Sequence, residues 1–502
     1  MRRISIFILM SVLFIFNACS KPSTPLTAPK LTNNPSLDVI VTNPYPLFSF
    51  FNATGGVGKR TYTIQIDTSE NFDSKNIIEY KNVPEENQYI TGKLDITSRL
   101  HEKEKDTLSG KQRYYWRVRA VDSKSNGGPW AKSRFYFDEK ADDSFMNLVR
   151  VPVQDIEVSS GYNKKNIYDL DDPGQSTFWQ STPPGSDQQW VVFDLGRATE
   201  LSRVWMLSNP DSSDGWLKSF VWQTSHDGES WRDIPGTKID NNDTLRNIID
   251  FKSVSARYVR LLINDWHGYA AQINAITLYS PGKPPVPDTP DEDYILIVGD
   301  QQNGFTFTEL AKFVEGLDIG LKTLTVPHYE VSLDMVKNLK RKPVAIILSG
   351  NNADYQNLPM FEYNGEYEII RESDIPILGI CCGHQQLAMA YGYTYARSMG
   401  WKDITAMDKA RARTEIDIEK KDPIFDGVPD PFVAVEVHGW AVAHPQEDFE
   451  VIAKSSYIQA MKSKTRMIYG EQFHGEIKVP YNQGTPYLVN FLKIALKRSA
   501  KN

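Results

Sequence analysis

The residues with the clearest chemical potential lie in one stretch, Pro376 to Met389, which reads Pro-Ile-Leu-Gly-Ile-Cys-Cys-Gly-His-Gln-Gln-Leu-Ala-Met. An apolar run leads into two cysteines between Gly379 and Gly383, and a helix-compatible run follows. That is the layout of a nucleophile elbow: a buried strand, a tight turn carrying the nucleophile, and a helix whose first amides face developing negative charge. The glycines let the backbone turn sharply and let a substrate approach. A thiol nucleophile needs a base, and the base needs an orienting group. The chain has only eight His. His474 sits in Gly470-Glu-Gln-Phe-His-Gly-Glu476, after an expected strand at Arg466–Tyr469. Glu476 is near enough to orient the ring if Gly475 turns. The bland alternative is two packed thiols and a structural His.

These residues must be held by a sheet. Tyr294–Val298, Leu321–Val326, Val344–Leu348 and Ile375–Ile380 are apolar strand patterns, and Phe307–Leu317 and Leu333–Leu339 have helical period. Alternating strands and helices predict a parallel sheet covered on both faces. Ligands then sit at the carboxyl ends of the strands, where Ser349-Gly350-Asn351 and the cysteine pair can meet.

The chain has 502 residues, enough for about three domains. A net charge of −7 gives no basic footprint, so no nucleic-acid partner is expected. Met1-Arg2-Arg3, the apolar Ile4–Phe16 and Phe16-Asn17-Ala18-Cys19 form a secretory signal that resembles a bacterial lipobox, so Cys19 is the expected lipidation site. A membrane-anchored cell-envelope lipoprotein, at the outer membrane and facing the periplasm or the surface, is expected. Exported proteins usually carry disulfides, yet Cys381 and Cys382 are adjacent and make a poor staple, which favours chemistry for at least one of them. The composition of Ser20–Thr32 suggests a stalk, so residues 1–19 are the expected signal peptide and 20–34 a linker.

Residues 35–140 show short alternating strands, including Arg60–Asp67 and Tyr115–Asp122, with a break at Asn126-Gly-Gly-Pro129. They imply a β-sandwich, and the Tyr-Trp-Arg-Val-Arg-Ala-Val-Asp run followed by Gly-Pro-Trp resembles a fibronectin type III domain. Residues 144–280 contain Asp169–Trp179, Trp190–Gly196, a hairpin signal at Asp227-Gly228 and the alternating Ala256–Leu262. Together these resemble a discoidin (coagulation factor 5/8 type C) jelly roll, a fold also used by carbohydrate-binding modules. The resemblance implies glycan binding by end loops, for which Trp216, Trp266, His267 and Tyr269 are candidates. It also implies a structural calcium, for which Asp169, Asp171 and Asp172 offer oxygens, although Gln272 or Ala275 stands near the family's later acidic ligand. Pro281–Pro290 is a stiff linker, set at 281–292.

From residue 293 to 502 the chain resembles class I glutamine amidotransferase domains, of α/β, flavodoxin- or Rossmann-like fold. Gly379-Ile-Cys-Cys-Gly-His-Gln-Gln-Leu-Ala388 and Gln472-Phe-His-Gly-Glu476 carry that resemblance, and Ile347-Leu-Ser-Gly-Asn351 stands where the family has its oxyanion loop. It implies Cys381 as nucleophile, His474 as base and Glu476 as its partner. Cys382 and the Gly350–Asn351 loop would supply oxyanion amides. Gln385 would contact the substrate, and Val437-His438-Gly439 would hold its amino-acid end. Gly475 and Asn351-Asn352 depart from the family pattern. The implied reaction is hydrolysis of a glutamine or γ-glutamyl amide through a thioester, with no cofactor. No synthetase partner is expected for an exported protein. A γ-glutamyl peptidase and a glycan-binding protein with a degenerate scaffold are the competing readings.

Overall fold

A computed structural model describes residues 24–31, 40–41, 48–85, 96–99, 108–138, 148–168, 177–182, 188–208, 215–242, 245–300, 305–351, 355–390, 395–397, 412–442 and 449–500. Cys19 and Asp169, Asp171 and Asp172 lie outside these residues.

The first domain is a β-sandwich of a three-stranded and a five-stranded sheet. Its longest strand, Lys111–Val121, pairs with Thr61–Asp67 on one side and Ala131–Asp138 on the other. Trp116 fills the core, edge-on to Phe48 at 5.1 Å. One boundary differs from the sequence reading. Thr24–Leu31 is not stalk: Gly56 N–H donates to Thr24 O, Thr27 N–H donates to Thr54 O, and Lys30–Leu31 pairs with Phe50–Phe51. Gly55, at a φ of 82°, makes this possible, because a Cβ there would strike the Pro25 carbonyl.

The second domain is antiparallel. Its strands are β1 (Leu148–Arg150), β2 (Gln189–Leu207), β3 (Leu217–Ser225), β4 (Arg246–Trp266) and β5 (Ala275–Pro281), with shorter pieces at the edges. The long pair β2 and β4 breaks register between Asp194 and Thr199 and again between Leu201 and Arg203. Such bulges bend both strands, so one pair can wrap a core of Trp179, Phe193, Phe220 and Trp222.

The third domain has a nine-stranded sheet. Its elements are β6 (Tyr294–Gly299), α1 (Phe305–Glu315), β7 (Lys322–Pro327), α2 (Leu333–Asn338), β8 (Ala345–Leu348), α3 (Asn364–Glu372), β9 (Ile377–Ile380), α4 (Cys382–Met389), β10 (Ala412–Ile418), β11 (Phe432–Glu436), β12 (Phe449–Lys454), β13 (Ile458–Ser463), β14 (Ile468–Glu471) and α5 (Thr485–Ser499). The order is β7-β6-β8-β9-β14-β13-β12-β10-β11. The first five are parallel, as the apolar runs predict, and β6, β8 and β9 are buried throughout. The rest is antiparallel, so the sheet is mixed rather than wholly parallel. Antiparallel neighbours such as these need no crossover helix between them.

The second and third domains are docked rather than strung on a linker. Trp205, Leu207, Ala275 and Tyr279 form one buried cluster with Phe361 of the third domain. Among the described residues no helix is long and apolar enough to cross a membrane.

Candidate active site

Cys381 is the turn between β9 and α4. Its φ of 52° and ψ of −98° are strained for a residue with a side chain, at a cost on the order of 1–3 kcal/mol. Neighbouring elements hold the strain. Cys381 N–H donates to Glu471 O at 2.8 Å, and Cys381 O accepts from Gln385 N–H at 3.1 Å. The flanking glycines are required by close approach rather than by φ. A Cβ on Gly379 would stand 2.5 Å from the Gly383 carbonyl carbon, and one on Gly383 would stand 2.6 Å from Leu348 Cβ. α4 thus starts directly against the ends of β8 and β9.

This packing sets the turn after β8 against the start of α4. Gly383 N–H donates to Ser349 O at 3.0 Å, tying the Gly350–Asn351 turn to the first turn of α4. The Cys382 N–H leads that helix, where no carbonyl one turn earlier is available to it. The Cys382 side chain faces inward, 3.1 Å from Tyr355 OH, and burial followed by the nearby Asp300 pushes its thiol well above its usual range.

His474 and Glu476 meet through the turn at Gly475. His474 Nδ1 donates to Glu476 Oε1 at 2.7 Å, and His474 N–H donates to Val435 O. Burial alone would discharge the ring, but the Glu476 charge, then the Cys381 thiol, raise it well above the ordinary histidine range. Cys381 and His474 are 3% and 7% exposed, so the pair is largely shielded from water. His384, next to the cysteines in sequence, is not a base for them. It is buried under Gly470, and burial lowers it to about 3.

The segment Val437–Gly439 closes one side. Cys381 Sγ lies 3.7 Å from Val437 O, and the buried His438 Nε2 bonds Glu436 Oε1 at 3.1 Å. Gln459 and Thr414 also donate to Glu436, so the turn is braced from beneath. Gln385 is buried, and protein groups occupy both ends of its amide. Its Nε2 donates to Trp440 O at 2.6 Å and Gln472 Oε1 at 3.0 Å, and its Oε1 accepts from Tyr355 at 2.6 Å. In this arrangement it braces the wall of the site.

Sequence reasoning missed three buried acids. Glu471 ends the apolar β14, its carboxyl 3.3 Å from the space a Gly475 Cβ would fill. Burial, then the Glu476 charge, push it well above the usual carboxylate range. The Gly475 amide lies near it and offsets part of that rise. Asp300, after β6, and Glu366, on α3, meet near the Gly350–Asn351 turn, where burial raises Asp300 to about 6 and pushes Glu366 well above the usual carboxylate range. Two carboxyls in a dry site share a proton. The signal available was a lone acid closing a wholly apolar strand, at Asp300 and at Glu471. A native acid with a raised pKa binds more protons than the unfolded chain, so stability falls as pH rises from about 3.8 to about 6. Asp300→Asn should therefore melt higher than the parent at pH 7.5. The gain should vanish by pH 4, as read by thermal unfolding at both values.

In the second domain the aromatic candidates separate. Trp216 and His267 rings lie 4.5 Å apart, and Tyr269 beyond them is 68% exposed. Trp266 packs against the domain core instead. Tyr162, not singled out from sequence, is also exposed; its N–H donates to Gln180 O, on the strand pairing with Gln272. Gln272 Nε2 donates to Gln180, and Ala275 is buried against the third domain, so neither stands as a metal ligand. Among the described residues no three His, Cys, Asp or Glu side chains are grouped to hold a metal.

A strained thiol at the carboxyl edge of a parallel sheet, with the His474–Glu476 pair beside it, is equipped for acyl transfer, the chemistry of the amidotransferase class. Residues 310–495 match the family model described as glutamine amidotransferase class-I, and residues 152–277 match that of the F5/8 type C domain. The third domain is 37% identical over 179 residues to the GMP synthase (glutamine-hydrolyzing) subunit of Methanocaldococcus jannaschii, covering 35% of this chain and 86% of that relative. To the corresponding GMP synthase subunit of Methanosarcina acetivorans it is 32% identical over 181 residues, covering 35% and 85%. The chain belongs to the class-I glutamine amidotransferase family, with an F5/8 type C domain ahead of that domain. The second domain is also similar to CpGH89CBM32-5 of Clostridium perfringens, solved in complex with GalNAc-β-1,3-galactose, at 18% identity and a TM-score of 0.24, covering 26% of this chain and 99% of that one.

Proposed function

We propose that this protein is a thiol amidohydrolase that releases ammonia from glutamine or a γ-glutamyl amide. The observation that carries the reading is the strained Cys381 beside the charged His474–Glu476 pair. Cys381 thiolate adds to the amide carbon, and the oxyanion is held by the Cys382 amide and the Gly350–Asn351 turn. His474 gives its proton to the leaving nitrogen, so ammonia departs and a thioester remains. The neutral ring then takes a proton from water, which attacks the thioester, frees the acid and restores the thiol. These steps need no metal or cofactor. The curated relatives are named for glutamine hydrolysis, which makes glutamine the first substrate to test. Ammonia release by the purified chain, with and without Cys381, is the decisive assay. A second reading, a glycan-binding protein with an inactive scaffold, is favoured by the internally occupied amide of Gln385. An inactive parent chain would select it.

The remaining parts of the reading concern delivery. The F5/8 type C domain takes a glycan at the end that carries Trp216, His267 and Tyr269, and the first domain is a fibronectin type III-like spacer. A lipid on Cys19 anchors the chain at the cell envelope, and a calcium on the Asp169–Asp172 loop is part of the same proposal. An aromatic face contributes roughly 0.5–1.5 kcal/mol beyond area. Tyr269→Ala should then weaken glycan binding about 3- to 10-fold in calorimetry, while Trp266→Phe leaves it unchanged. Equal affinity in Tyr269→Ala would move the glycan site elsewhere.

A further inference from the structure

Residues 355–363, which lead into α3, lie between the catalytic domain and the F5/8 type C domain. Glu362 is their buried centre. Arg150, on β1, grips both carboxylate oxygens, Nε donating to Oε1 at 2.5 Å and Nη2 donating to Oε2. Tyr279 OH, on β5, donates to Oε1 at 2.7 Å. Burial would raise this carboxyl, yet Arg150 holds it at about 2. On the catalytic side His328 Nε2 lies 3.6 Å from Oε2. The His328 ring stacks on Tyr363 at 4.2 Å and 12°. Tyr363 OH accepts from Asn351 Nδ2 at 3.0 Å and reaches Asp300 O at 3.4 Å. Contacts thus run unbroken from the second domain to the oxyanion turn. A second arm runs parallel: Arg246 donates to Asn357 Oδ1 at 3.1 Å, and Asn357 shares a single turn with Tyr355, the partner of Cys382 and Gln385.

We propose that Glu362 is a positioning residue of the amidotransferase site, and that Arg150 and Tyr279 of the F5/8 type C domain hold it in place. The oxyanion turn is therefore set by the docked neighbouring domain and not by the catalytic domain alone. This rests on Cys381 acting as an amidase nucleophile. The physical reason is that a buried carboxylate must be paired, and the guanidinium and the hydroxyl that donate to it, from Arg150 and Tyr279, belong to the other domain, while the catalytic domain offers His328 at 3.6 Å. Breaking the clamp frees Glu362 to move or take up water, and the stacked His328–Tyr363 pair loses its backing. A shift of about 1 Å in an oxyanion donor lowers rate by about a hundredfold.

The test uses the full chain. Glu362→Gln and Arg150→Met should lower kcat for glutamine roughly 10- to 100-fold with KM within about threefold, and leave alkylation of Cys381 by iodoacetamide unchanged, since that reaction uses no oxyanion site. Lys283→Ala removes an exposed interdomain ion pair with Asp334, at 3.1 Å, and should change nothing. Hydrogen exchange of the peptide 345–363 should speed up in Arg150→Met while the β9 and β14 peptides stay protected. A folded Arg150→Met with parental kcat overturns the proposal, and so does unchanged exchange in 345–363. If the parent chain releases no ammonia, the amidase reading itself fails. Faster exchange would then show the clamp as purely structural, and the positioning role would be overturned with it.

Discussion

Cys381→Ala is expected to reduce ammonia release from glutamine by at least about 10⁴-fold, because no other group in the site can form the thioester. An electrophilic glutamine analogue should add once to the parent chain, at Cys381, and not at all to the variant. The neighbouring thiol is the informative control. Cys382 is buried, its thiol is pushed well above its usual range, and the role proposed for it uses its backbone amide. Cys382→Ser should therefore keep activity within about tenfold of the parent, since the change touches weak polar contacts with Tyr355 and Gln386 and leaves the backbone amide in place. Mass spectrometry of the labelled peptide, with an ammonia-coupled assay, checks both. Ammonia release that survives in Cys381→Ala would remove the thiol mechanism. Loss confined to Cys382→Ser would mean the two cysteines have exchanged roles.

Gly383→Ala is expected to destabilise the chain by more than about 3 kcal/mol and to lower kcat by at least about a hundredfold. The added Cβ would lie 2.6 Å from Leu348 Cβ and 2.8 Å from its carbonyl carbon. These belong to a buried parallel strand and cannot yield as the tip of a flexible side chain would. α4 must withdraw from β8, carrying the Cys382 amide away from the Gly350–Asn351 turn and stretching the bond from Gly383 N–H to Ser349 O. Gly320→Ala is the matched control: its φ is 77°, but a Cβ there meets nothing within 4 Å, so it costs only backbone strain. Denaturant midpoints and steady-state kinetics of the two variants give the comparison. A Gly383→Ala chain with parental kcat and midpoint would show that the elbow is not closed against β8.

Much of the catalytic domain was legible because its signals are local. Apolar runs such as Tyr294–Val298 can only be strands buried on both faces. A cysteine between glycines at the end of such a run favours a turn, and the two-residue spacing of His474 and Glu476 brings them within reach if Gly475 turns. The antiparallel half of the sheet was not legible, since short alternating strands do not declare their partners. The reach of the first domain back to Thr24 was hidden by a composition that resembles a stalk, and only the fit of Gly55 against Pro25 reveals it. Glu471 and Asp300 stand at strand ends and Glu366 in the first turn of a helix, places where an acid is most often solvated. Their meaning depends on what surrounds them, which is burial and one another.

The opening stretch shows the same division. The order of residues from Pro376 to Met389 was enough to determine a strand, a strained thiol and a helix, because sterics and hydrophobic burial act between near neighbours in the chain. Tertiary structure alone decided which thiol faces the base, that Gln385 is occupied by Tyr355, Trp440 and Gln472, and that Glu362 is clamped by a neighbouring domain. Electrostatics and close packing depend on distances between groups far apart in sequence, such as Arg150 and Glu362, and no local pattern encodes them.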